Sequence, residues 1–137
     1  MEKNFELKPP VIVFPDQQTP STAYRVAFDL LRRRAAVEAL EILEPALAED
    51  PQNTGLRMLR AWAYLIRVQL GRAEEELRAL VAENPDDDWM RFALGRSLER
   101  QSRYDDALPH LRLAAAMSGD PEHELAVLRV ERLAGKL

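Results

Sequence analysis

TGLRMLRAWAYLIRVQLGRAEEELRALVAENPDD, residues 54–87, is the stretch that decides the architecture. Its small and apolar residues recur at helical rather than strand spacing, and it closes on a breaker, Asn84-Pro85. Moving 34 residues in either direction meets the same chemistry. The matching columns are Ala27, Ala61 and Gly95; Leu30, Tyr64 and Leu98; Ala39, Ala73 and Ala107; Leu43, Leu77 and Leu111; and Pro51, Pro85 and Gly119. Columns held in register at one period are an internal repeat, and each unit is a helical hairpin. The small residues let two helices approach closely while the larger ones fill the space that remains. The units are 20–53, 54–87 and 88–121.

The period and the columns resemble the tetratricopeptide repeat family. Leu94-Gly95 keeps the Leu-Gly pair of that family's first helix, and Tyr64, Ala39, Ala107, Pro51 and Pro85 keep other positions. The resemblance implies an all-α fold, a right-handed superhelical stack of three such hairpins. Where the family places a glycine between its two helices, this chain has Arg34-Ala35, then Gly71, then Ser102-Arg103, and Gly71 comes three residues late. That placement predicts a middle hairpin whose first helix overshoots by about a turn, with a shortened second helix and an accidental match at Ala73. Pro45 falls well inside a predicted helix, where a lost hydrogen bond and a clash costing about 3 kcal/mol predict a kink. Pro109 reads as a milder case near a first turn, where backbone donors are unpaired anyway.

Outside the repeats the two ends differ. Asp120 as N-cap, Pro121 at the first helical position and Glu122 behind it open a final helix over 121–135. It reads as a cap, with Leu125, Leu128 and Leu133 covering the open end of the stack and Glu124, Arg129 and Glu131 facing elsewhere. Residues 1–19 read as an extended arm ahead of a repeat domain at 20–137, because KPP, VIVF, PDQQ and TP forbid a continuous helix. Three roles stand open for the arm: capping the first helix, which is favoured, lying in the chain's own groove, or filling a neighbour's groove. Met1 and the closing helix read as a complete chain.

A length of 137 residues, 47% hydrophobic, suffices for one core that buries roughly 65–70% of the unfolded surface. With no Cys, disulfide frameworks, thiolate metal centres and a cysteine nucleophile are excluded, and a cytoplasmic setting is the default. No segment nears 18 apolar residues and the N-terminus lacks a secretory pattern, so a soluble chain without membrane insertion is expected. The net charge of -4 argues against nucleic acid; Arg32-Arg33-Arg34, the one basic run, reads as a solvated helix end. Catalysis finds little material. There are two histidines, His110 and His123, and no phosphate loop or nucleophile elbow, and neither acidic run has calcium-loop spacing, so neither enzyme activity, a cofactor nor a metal is expected.

Binding is the function that remains. In the family, first-helix residues line a concave groove for extended peptides, and by resemblance those positions are Tyr24, Phe28, Arg32, Met58, Trp62, Ile66, Trp89, Phe92, Arg96 and Arg100. The carboxylate clamp of one family subset is absent, since Tyr24, Phe28 and Met58 stand at its positions. Tyr24, Phe28, Met58, Trp62, Trp89 and Phe92 are the expected anchors for an apolar or Pro-containing segment of a protein partner, with Arg96 and Arg100 as orienting donors. The competing explanation is that aromatics such as Trp62 and Phe92 pack between hairpins. An adaptor, scaffold or chaperone follows from the first explanation. The alternative is a self-assembling subunit, a homo-oligomer joined through residues 1–19 or the last helix.

Overall fold

The computed structural model describes residues 7–10 and 22–136. Among these residues are seven helices and no strand: α1 Thr22–Arg32, α2 Ala36–Glu49, α3 Thr54–Ile66, α4 Leu70–Glu83, α5 Asp88–Arg100, α6 Tyr104–Ser118 and α7 Pro121–Leu133. The chain divides inside α4 into two compact units, Pro9–Glu76 and Leu77–Leu137, and the second takes in Leu7 and Lys8.

The helices begin in two ways. Ahead of α3, α5 and α7 a side chain satisfies an orphan amide: Asn53 Oδ1 accepts from Leu56 N at 3.0 Å, Asp87 Oδ1 from Met90 N at 2.8 Å, and Asp120 Oδ1 from Glu122 N at 2.9 Å. Helices α2 and α6 follow Ala35 and Arg103 and have no side-chain cap bond. They enter straight from a tight turn, and the turn is the same each time. Arg34, Val68 and Ser102, again 34 residues apart, hold positive φ of 63°, 58° and 61°. After each, an amide reaches back across the turn: Ala35 N to Leu30 O, Gln69 N to Tyr64 O, Arg103 N to Leu98 O, at 2.8–3.0 Å. This is the paired closure of a left-handed C-cap, usually made with glycine.

The position of Gly71 is thereby corrected. It is the second residue of α4, not the turn, so α3 stops at Ile66 without overshooting, α4 runs its full 14 residues, and Ala73 is fully buried. The turn is made instead at Val68, in a conformation that β-branched side chains resist. Helix α2 continues to Glu49 through Pro45, which is exposed. Pro109 is the sixth residue of α6, beyond the first turn, so its missing amide removes a helical hydrogen bond after all.

In Pro9–Glu76, α1 packs on α2 and α3, and α2 packs on α3, around Ala27, Leu31, Ala39, Leu43, Leu59 and Ala61. In Leu77–Leu137, α6 lies between α5 and α7, around Leu94, Leu98, Leu108, Leu111 and Val130. Each fully buried leucine contributes about 1.5–3 kcal/mol. Gly95 sets the closest approach: a Cβ there would lie 2.6 Å from Leu111 Cδ2 and 3.3 Å from the Leu111 amide.

The last helix turns a different face inward from the one expected. His123, Ala126 and Val130 are buried, whereas Leu125 is 61% and Leu128 50% exposed, with Leu133 likewise outward. Pro121 and the Asp120 cap fix the start of the helix, and from there the inward stripe at i, i+3 and i+7 falls on His123, Ala126 and Val130.

Candidate functional site

In Pro9–Glu76 the first-helix aromatics form a row. The Tyr24 and Phe28 rings stack with centroids 6.0 Å apart, and Phe28 meets Trp62 edge-on at 6.0 Å. Tyr24, Met58 and Trp62 are buried, Trp62 to 5% exposure, and burial pushes the Tyr24 phenol up to about 12. Phe28 and Ile66 remain half-buried and Arg32 is exposed. Of the expected anchors in this unit, Tyr24, Met58 and Trp62 therefore serve as packing, with Phe28 and Ile66 the apolar side chains left at the surface.

In Leu77–Leu137, Phe92 stacks on the His123 ring, centroids 4.0 Å apart and planes 15° from parallel. His123 Nδ1 lies 2.7 Å from Ser118 Oγ, and Ser118 Oγ accepts from Asp120 N at 3.0 Å, so the corner between α6 and α7 is closed by one polar chain. Arg96 is corrected: it is 2% exposed and ion-paired with Glu99, so it is no orienting donor for a ligand. Glu99 also accepts from Arg129 of α7, Nε to Oε2 at 2.7 Å and Nη2 to Oε1 at 2.9 Å. Burial works against the Glu99 charge, but the hydrogen bonds from Arg129 and the charge of Arg96 outweigh it and hold the carboxyl below its ordinary range. Arg100 is half-buried and engaged within the protein.

Trp89 is half-buried, and its indole N–H donates to the main-chain carbonyl of Lys8 at 2.8 Å. The Lys8 ammonium lies 3.0 Å from Asp120 Oδ2 and 3.8 Å from Glu122 Oε1. The hydrogen bond with Asp120 raises the Lys8 amine, aided by the Asp120 and Glu122 charges. The Glu122 amide first, and Lys8 second, hold the Asp120 carboxyl below its usual range. At Lys8 the arm thus lies against α5 and the start of α7. Residues 11–14, VIVF, on which the expected capping of the first helix rests, lie outside the described residues.

Sequence reasoning missed Lys8, Glu122 and the Asp120 carboxylate as a contact for a side chain, having read Asp120 only as a cap. The signal was slight: Lys8 is one of three lysines and stands directly before Pro9-Pro10. Among the described residues no group of three or more His, Asp or Glu could hold a metal ion.

The repeated hairpin, its left-handed turn and its small-residue contacts find their counterpart in a family model, the tetratricopeptide repeat, which matches residues 30–90. Over residues 30–90 the chain is similar to the tetratricopeptide repeat family. Among solved structures, MamA from AMB-1 is similar at 22% identity and a TM-score of 0.72, covering 83% of this chain and 68% of that one. The first tetratricopeptide domain of human RPAP3 is similar at 16% identity and a TM-score of 0.75, covering 82% of this chain and 90% of that domain. TTC0263 of Thermus thermophilus is similar at 22% identity and a TM-score of 0.72, with 88% and 68% covered. At these identities the likeness establishes the all-α tetratricopeptide fold. Among curated proteins nothing matches. A tetratricopeptide fold is a general protein–protein interaction module, and no helix among the described residues is long and apolar enough to cross a membrane.

Proposed function

We propose that this chain is a cytoplasmic interaction module, an adaptor, scaffold or dedicated chaperone, that takes an extended segment of a partner protein against its first helices. The observation that carries the reading is the seat at Trp89, a half-buried indole on a first helix donating to the main chain of a segment that lies across it. Phe92 stands one turn further along the same helix. In the other unit Phe28 and Ile66 offer partly open apolar surface above the buried Tyr24 and Trp62. Half-exposed aromatics of this kind carry most of the energy in interfaces. No catalytic, cofactor or nucleic-acid role is assigned; the net charge of -4 speaks against the last.

The test is affinity purification from the native lysate with the intact chain and with Trp89→Ala, the variant first checked for helicity by circular dichroism. A partner retained by the intact chain and lost by the variant supports the reading. Identical partner sets would overturn it.

A second reading, self-assembly through the last helix, is favoured by the outward Leu125, Leu128 and Leu133 of α7 together with Leu113 and Met117 of α6, all exposed. Sedimentation at rising concentration should then show association that Leu125→Glu with Leu128→Glu abolishes. A chain that stays monomeric throughout removes this reading.

A further inference from the structure

The seat at Trp89 is specific in a way that the general reading does not require. Three groups converge on one residue of the arm. The indole N–H reads a carbonyl, which any residue supplies, while Asp120 and Glu122 read an ammonium, which only lysine supplies as a compact point charge. Asp120 is held ready for that ammonium. Its Oδ1 is occupied by the Glu122 amide and its own amide by Ser118 Oγ, leaving Oδ2 directed at Lys8. The sequence that follows suits such a seat. Pro9 holds the residue before it extended, and neither Pro9 nor Pro10 has an amide donor needing a partner. A Lys-Pro segment therefore arrives nearly preorganised and loses little conformational freedom on docking.

The contact is also built to be exchanged. Lys8 is 64% exposed along its side chain and Glu122 nearly as much, and exposed ion pairs hold weakly. What keeps the segment in place is its covalent tether, which raises its local concentration. We propose that the surface formed by Trp89, Asp120 and Glu122 is a recognition site for an extended lysine–proline segment of a partner, and that Lys8-Pro9 is a resident competitor which the partner must displace. This rests on the reading of the chain as an interaction module and adds the ligand's chemistry and a means of regulation to it. Removing the competitor should strengthen partner binding, because apparent affinity scales with the fraction of open sites.

The probe is a fluorescein-labelled peptide of residues 5–12, FELKPPVI, titrated by anisotropy into the full-length chain and into its Lys8→Glu variant, which alters only the arm. The variant should bind at least about threefold more tightly than the unaltered chain. A peptide carrying Lys8→Glu should bind the variant about threefold or more weakly, and added salt should erase that difference. Within the Lys8→Glu chain, Asp120→Asn, which keeps a capping side chain, and Glu122→Gln should each lower affinity by about twofold. Equal affinity for both chains, indifference to the peptide's lysine, or no binding to either chain would overturn the proposal. So would a dimer of the unaltered chain whose mass halves on Lys8→Glu, since the seat would then belong to a second copy. Lysate partners that depend on Trp89 yet bind both chains equally would defeat this inference and leave the module intact.

Discussion

In Pro9–Glu76 the buried carboxylate is Glu76 of α4, and both arginines that meet it, Arg57 at 3.1 Å and Arg60 at 2.7 Å, come from α3. In Leu77–Leu137 it is Glu99 of α5, which meets Arg96 of its own helix and Arg129 of α7. The first arrangement staples one hairpin and keeps an outlet, because Arg60 is a quarter exposed and also reaches Glu44 at 3.1 Å. The second is more deeply enclosed, with Arg96 2% and Glu99 6% exposed. It also explains how α7 is attached with its leucines facing away: a two-pronged Arg129–Glu99 contact and the Phe92–His123 stack do what the leucine face was expected to do. The same charge pattern is thus a local clamp in one unit and the fastening of a terminal helix in the other.

Removing the carboxylates one at a time separates these roles. Glu99→Ala removes the buried acceptor that Arg96 and Arg129 share and should lower stability by about 3–5 kcal/mol, read as a loss of the chemical-denaturation midpoint. A loss below about 1 kcal/mol would mean that Arg96 swings out to solvent and that the fastening is not made by charge. Acid should act on the same site. A carboxyl held below its unfolded value contributes stability that is complete above about pH 4.5 and vanishes as pH falls through the lower folded value. Glu99→Gln should therefore flatten the acid limb of a thermal-melt series below that pH. Glu76→Ala, which leaves Arg60 its contact with Glu44, should cost about 2 kcal/mol, less than Glu99→Ala in the same assay.

Smaller effects test the backbone. Gly95→Ala forces Leu111 aside and should cost about 1–2 kcal/mol, whereas Gly71→Ala, with open space around it, should be neutral or gain up to about 1 kcal/mol. Equal losses at both would show that the two glycines serve the same purpose. Val68→Gly relieves a β-branched residue from positive φ and should raise stability by about 1 kcal/mol, seen as a higher melting temperature.

The hairpins were legible because their signal is redundant: columns such as Ala39, Ala73 and Ala107 repeat one steric requirement, and all three are fully buried. Single-residue features were harder to read. Gly71 drew attention as the residue that usually makes a left-handed turn, while the turn itself was made by Arg34, Val68 and Ser102, whose side chains give no such hint. The family resemblance placed Tyr24, Trp62 and Trp89 on first helices but could not say which of them would be covered. Arg96 looked like a surface donor because nothing local reveals that Glu99, three residues on, and Arg129, far along the chain, will fold over it. Lys8 and Asp120 are 112 residues apart, beyond any periodic signal.

The bond between Trp89 and the main chain at Lys8 also gives the molecule an optical gauge. Of its two tryptophans, Trp62 is shut away from solvent, while Trp89 sits half-open with its N–H engaged. If Lys8 is displaced as proposed, that indole should exchange a carbonyl for water and its fluorescence should move to the red. The position of the arm is then readable in a cuvette, without a label, from the native chain.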